Sequence, residues 1–197
     1  MRMKENRRKE AAPMLARFVL ALVTTLSLAA CEEPPVNRRT DALPLATVAK
    51  VEIGRYLGKW YEIARYDHWF ERDCAGVTAE YALRDDGRIA VLNSCRRGGL
   101  DGPLDQAEGV ARIRDPETNA KLGVAFDPFG AFEGDYWVIG LAEDYSWALI
   151  GEPRGRYLWI LARAPRIPDA LRADLTARLA DLGYDTDALI WVEQPPA

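Results

Sequence analysis

From Val51 onward the chain is a succession of short runs rich in β-branched and aromatic residues, each broken by Gly, Asp, Pro or Asn. That pattern is the signature of an all-β domain. The clearest strand is Val77–Arg84. Side chains two apart share a face of a strand. Val77, Ala79, Tyr81 and Leu83 therefore fall on one side; Thr78, Glu80, Ala82 and Arg84 fall on the other. Asp85-Asp86-Gly87 supplies a tight turn of the Asp-Gly type. Ile89, Val91 and Asn93 continue on the returning strand, so these two strands make a hairpin.

Further strands are predicted at roughly 58–66, 107–114, 120–126, 135–142, 145–151 and 156–163, with turn clusters at Asp115–Asn119 and Asp127–Gly130. The count is about eight, the size that closes a sheet around one small ligand. One long helix is expected after Pro165, with Pro168 suited to its first turn and Gly183 to its stop. Leu171, Leu175, Leu179 and Leu182 share one face of it. The last three barrel strands are apolar on their second faces too: Trp137, Ile139 and Leu141; Trp147 and Leu149; Leu158, Ile160 and Ala162. Sheets apolar on both faces are covered on both sides. The helix is therefore expected outside this part of the sheet.

The N-terminus carries a different message. Arg2, Lys4, Arg7, Arg8, Lys9 and Arg17 precede the stretch Phe18–Ala30, which is too short to span a membrane. Charge, short apolar stretch and small residues, in that order, read as a signal peptide over residues 1–30. Leu28-Ala29-Ala30-Cys31 resembles the lipobox of bacterial lipoproteins. That resemblance implies cleavage before Cys31 and a lipid anchor on it, with residues 31–50 as lipidated cysteine and tether. Glu32 follows where aspartate would favour inner-membrane retention, which points to the outer membrane. Without residues 1–30 the chain holds 20 basic and 28 acidic side chains, a formal net charge of −8. An acidic domain with no basic stripe is a poor partner for nucleic acid. Cys74 and Cys95 remain as an even pair, in a compartment that permits disulfides. They flank the first hairpin, and a bridge there closes a loop of about 20 residues, worth roughly 3 kcal/mol.

Three motifs, in order and at fitting spacing, carry a family resemblance. Gly58-Lys59-Trp60-Tyr61 resembles the G-x-W-Y motif that opens the first lipocalin strand. Asp144-Tyr145 stands where that family has T-D-Y, with Glu143 replacing the threonine. Arg163 closes Tyr157–Arg163, where the family stacks an arginine on its tryptophan. Tyr56–Glu71 and Gly183–Pro195 look like the bacterial outer-membrane branch, related to apolipoprotein D. The resemblance implies an eight-stranded up-and-down antiparallel lipocalin barrel over residues 51–197, with one C-terminal α-helix packed outside. It also implies a hydrophobic ligand, fatty acid or lysophospholipid, stored or transported in the cell envelope at the outer membrane, facing the periplasm. The Cys74–Cys95 pair recurs in that branch, and relatives that dimerise leave a homodimer open.

Gly58, Trp60, Tyr61 and Arg163 are assigned to structure: Trp60 plugs one end and Arg163 lies across its ring. Alternation then gives an inward wall, from which Tyr81, Val91, Val124, Phe126, Tyr136, Val138, Ile150, Tyr157 and Trp159 are expected to meet ligand, joined by His68 from the mouth. Inward Gly109 and Ala111 leave room, and exposed aromatics in the loops Asp67–Phe70 and Phe129–Phe132 read as a lip for ligand or membrane. The acidic residues read as a solvated surface. Two other readings stay open: an enzyme using Cys74 as nucleophile with His68, the only histidine, or a filled barrel that binds a protein. Catalysis has little else behind it. The sequence offers no nucleophile elbow, no Cys-x-x-Cys metal site and no phosphate loop. No enzyme activity, cofactor or metal is expected.

Overall fold

The computed structural model describes residues 39–40, 44–127, 129–130 and 132–196. The leader, Cys31 and the start of the tether lie outside the described residues. Eight strands follow in chain order: β1 (Gly58–Arg65), β2 (Cys74–Leu83), β3 (Ile89–Arg97), β4 (Leu104–Ile113), β5 (Lys121–Ala125), β6 (Gly134–Leu141), β7 (Trp147–Gly151) and β8 (Leu158–Ala162). Each pairs antiparallel with the next, and β1 pairs with both β8 and β2, so the sheet closes into a barrel. Two helices join them, the single turn α1 (Ile53–Tyr56) and α2 (Asp169–Asp181). A short β9 (Ile190–Trp191) adds to the far end of β1.

The predicted hairpin is β2–β3, in register from Leu83↔Ile89 to Ala79↔Asn93. Its turn is built by Asp86, whose carboxylate accepts the Arg88 amide at 3.0 Å, with Gly87 at φ 79°. Leu83, expected inside, is instead exposed, because it stands at the hairpin end beyond the barrel wall.

The seam between β1 and β2 has two halves. Direct pairing covers only Gly58↔Tyr81 to Tyr61↔Thr78. Beyond that, the C-terminal tail fills the gap. Buried Gln194 donates its amide to the carbonyls of Glu62 (2.8 Å) and Val77 (2.9 Å), one on each strand. The Val192 amide donates to Ile63, and the Gly76 amide to Glu193. This side-chain bridge satisfies backbone groups that would otherwise stand unpaired.

Two apolar clusters lie on either side of the sheet. Inside are Trp60, Tyr81, Val91, Leu122, Val138 and Ile150, among others. Outside, Leu175 and Leu179 of α2 are fully buried against Ile139, Leu149, Leu158 and Ile160, as the apolar second faces required, and against Ile63 and Ala64 of β1 as well. Leu141 is a correction. A register shift between Val138 and Gly140 flips the alternation and turns Leu141 inward.

The tether reading needs a second correction over its described part. Leu45 is buried in the outer cluster, Val48 packs on the inner one, and the Val48 amide donates to Val138. Further back, Arg39 is buried and donates to the carbonyls of Leu182 and Pro153, while Thr40 donates to Gly183. These segments belong to the fold.

Candidate ligand cavity

The floor begins at Gly58, whose φ of 86° is a left-handed conformation that costs glycine little. The chain then turns into β1 and buries Trp60 completely. The indole N–H donates to Tyr56 at 2.8 Å, and the Arg163 guanidinium lies 3.8 Å from the ring centre. Arg163 also donates to the carbonyls of Lys59, Arg55, Tyr56 and Leu57. A one-turn helix leaves its carbonyls without internal partners. Arg163 therefore caps α1 as well as stacking on Trp60, a role the motif alone did not reveal. Tyr61 points the other way and packs against the outer cluster.

Above Trp60 three phenols meet. Tyr136 shares hydrogen bonds with Tyr56 (2.8 Å) and Tyr81 (3.0 Å). Burial pushes Tyr56 and Tyr136 well above the usual phenol range and Tyr81 up to about 12, so all three stay neutral.

Over these tyrosines lies an open cavity of about 510 Å³. Tyr81, Val91, Val124, Phe126, Tyr136, Tyr157 and Trp159 line it. Val138 and Ile150 do not. Both are fully buried in the packed interior below, where the tyrosines and Ala148 fill the barrel. His68 does not line it either. Its ring stands behind the wall, 5.0 Å from Trp159 and 5.5 Å from Tyr157 between ring centres. The space expected at Gly109 is taken by Phe126, whose ring would lie 2.8 Å from a β-carbon there. A second hollow of about 290 Å³ shares Phe70, Glu71, Val77, Asn93 and Phe126 and runs along the disulfide.

One stretch of wall is polar. Glu62 and Glu71 both face the cavity and are only 3% and 7% exposed. Arg65 lies 3.5 Å from Glu62 and 3.7 Å from Glu71. The Trp159 indole donates to Glu71 at 3.3 Å, and His68 Nε2 is 3.3 Å from the same oxygen. Burial raises both carboxyls above the ordinary carboxylate range, and Glu71 adds to the rise at Glu62. For this pair the reading of acidic residues as a solvated surface is wrong. A signal was there: Glu62 is two residues from inward-facing Trp60 and shares its side of β1.

The mouth is ringed by loop aromatics, with Trp69, Phe129 and Phe132 exposed at 76%, 91% and 83%. Cys74 and Cys95 form a disulfide beside it, Cα–Cα 5.4 Å. Cys74 therefore offers no thiol nucleophile. Among the described residues no group of His, Cys, Asp and Glu could hold a metal ion. No described helix is long and apolar enough to cross a membrane.

The profile of the Lipocalin-like domain family matches residues 51–194. This chain is a lipocalin. Its sequence is 40% identical to the outer membrane lipoprotein Blc of Escherichia coli K12 over 181 residues, covering 92% of this chain and 98% of that protein. The Vibrio cholerae lipoprotein of the same name is 43% identical over 75% of this lipocalin and 85% of its own length. Mouse apolipoprotein D is 30% identical over 93% of this lipocalin and 92% of its own length. Relatives so named assign this lipocalin to the outer membrane. The fold is also that of insecticyanin from the tobacco hornworm Manduca sexta, with TM-score 0.59 and 18% identity over 78% of this chain and 86% of that one.

Proposed function

We propose that this lipocalin is tethered to the outer membrane through lipidated Cys31, faces the periplasm, and reversibly buries the acyl chain of a fatty acid or lysophospholipid. Residues 1–30 are its signal peptide in this reading, and binding rather than catalysis is its task. The observation that carries it is the open, mostly apolar cavity of about 510 Å³ above the tyrosine floor. Sites of this size and character take small apolar ligands, and burial of apolar surface contributes about 25 cal/mol per Å². Trp69, Phe129 and Phe132 then form a lip that meets ligand or membrane where the chain passes in. A filled barrel would lack this space.

Native mass spectrometry with lipid extraction, on the soluble domain of residues 32–197 purified from a bacterial periplasm, tests the reading. A co-purifying fatty acid or lysophospholipid is expected, and it is expected to be lost when Tyr136 and Trp159 are replaced by residues that disrupt the cavity. Protein that carries no lipid and takes up no added acyl ligand would refute it.

A further inference from the structure

The exposed apolar side chains are not spread evenly over the surface. Among the described residues seven large ones stand exposed. Five of these, Trp69, Leu104, Phe126, Phe129 and Phe132, belong to loops or strand ends at the mouth. The closed end shows Leu83 alone, beside the charged turn of Arg84, Asp85, Asp86 and Arg88. Trp69, Phe126 and Phe132 also line the cavity, so the rim and the ligand space share a boundary. A concentration of exposed apolar surface marks an interaction site.

What covers the rim follows from the chain that leads to it. Arg39 is fixed to the carbonyls of Leu182 and of Pro153, in the β7–β8 loop at the mouth. Cys31 stands eight residues before Arg39, a reach of at most about 28 Å. The ten-residue strands β2 and β4, rising about 3.3 Å per residue and tilted by about 40°, make the barrel roughly 25 Å tall. With the closed end on the membrane, a lipidated Cys31 would need nearly all of that reach to pass down the wall. With the mouth on the membrane, the same length leaves slack. The attraction at the rim is apolar: Asp67 and Asp127 stand there with Arg72 and Arg154, and the chain without residues 1–30 is acidic. Tryptophan and phenylalanine suit the boundary between headgroups and acyl chains. An anchor keeps the rim at high local concentration, so weak partition is enough. Resting on the lipidated-Cys31 reading above, we propose that the mouth docks on a zwitterionic phospholipid surface through Trp69, Phe129 and Phe132, so that the cavity opens directly on lipid.

Flotation with phosphatidylcholine vesicles tests the docking. The domain of residues 32–197 contains every described residue and lacks the anchor cysteine, so its binding reports the rim alone. Wild-type domain is expected to float with the vesicles, and to do so undiminished at about 1 M salt, where charges are screened within about 3 Å. Combining Trp69→Ser, Phe129→Ser and Phe132→Ser is expected to weaken partition at least about ten-fold, with the urea midpoint close to wild type. Phe129→Ser alone, at a ring that is 91% exposed and does not line the cavity, is expected to weaken it about three-fold. Partition within about two-fold of wild type in the folded triple variant overturns the docking. So does binding that needs anionic vesicles and is lost in salt. Self-association without lipid that the triple variant abolishes would make a second copy the partner, and overturns it too. Acyl-ligand uptake by the same domain keeps the two readings apart. Uptake without flotation overturns the docking and leaves the cavity reading standing. Flotation through these rings without uptake supports the docking while the cavity reading falls.

Discussion

The two ends of the barrel are built on different terms. At the floor, Trp60, Arg163, the carbonyls of α1 and three phenols interlock, with donors and acceptors matched and apolar rings packed between them. At the mouth, β1 and β2 part, the tail wedges between them, buried polar atoms of Glu62 and Asn93 lack hydrogen-bond partners and aromatic rings stand in solvent. Satisfied polar groups and dense packing hold a structure in one state. Unsatisfied ones mark where a structure expects company. The comparison locates stability at one end and recognition at the other.

The sharpest way to break it is Trp60→Ala. Loss of so large a buried ring is expected to cost about 3–5 kcal/mol in urea denaturation. A cost below about 1 kcal/mol would mean the floor is not the stable end. Next comes the covalent tie of the mouth half. Cys74→Ser with Cys95→Ser is expected to lower stability by about 3 kcal/mol by the same measurement. Arg163→Met keeps much of the side-chain bulk but leaves the α1 carbonyls uncapped, and is expected to cost about 2 kcal/mol. Arg163→Lys restores the charge without the planar fork, so it is expected to recover only part of that loss.

A smaller effect separates the ends by pH. Burial raises Glu62, so the folded protein holds that proton more tightly than the unfolded chain does. Stability from this group is full at pH values below the ordinary carboxylate range and declines as pH rises toward the raised value. Glu71 and Arg65 face Glu62 and set its final position. Glu62→Gln is expected to flatten the decline, read as the difference in urea midpoints between wild type and variant across about pH 4 to pH 8. Smallest of all, Phe132→Ala at the lip is expected to change stability by no more than about 0.5 kcal/mol. A large loss there would show that the lip is part of the core.

Much of the barrel was legible because strand alternation is a strict rule. Val77 and Tyr81, Tyr157 and Trp159, and the outward Ile139, Leu149 and Ile160 all fall where a period of two puts them. Where the rule was interrupted, the reading failed. The shift between Val138 and Gly140 leaves no mark in composition, so strict alternation puts Leu141 outside while the barrel turns it inward. Val138 and Ile150 point inward as expected, yet how far the packed floor rises depends on the tyrosine hydroxyls meeting across the axis. Gln194 is another kind of miss. Its two acceptors lie 132 and 117 residues away, and no local pattern reports a contact so remote. For Glu62 two signals conflict: its charge points to solvent, while its place two residues from Trp60 points to the interior, and position wins.

Arg39 has a mechanical consequence. Its guanidinium grips the carbonyl of Pro153 in the loop between β7 and β8, at the same end of the barrel as Trp69 and Tyr157. A load carried by the chain before Arg39 therefore enters the domain at the rim, through the loop between β7 and β8 and the end of α2, and not at the plugged end.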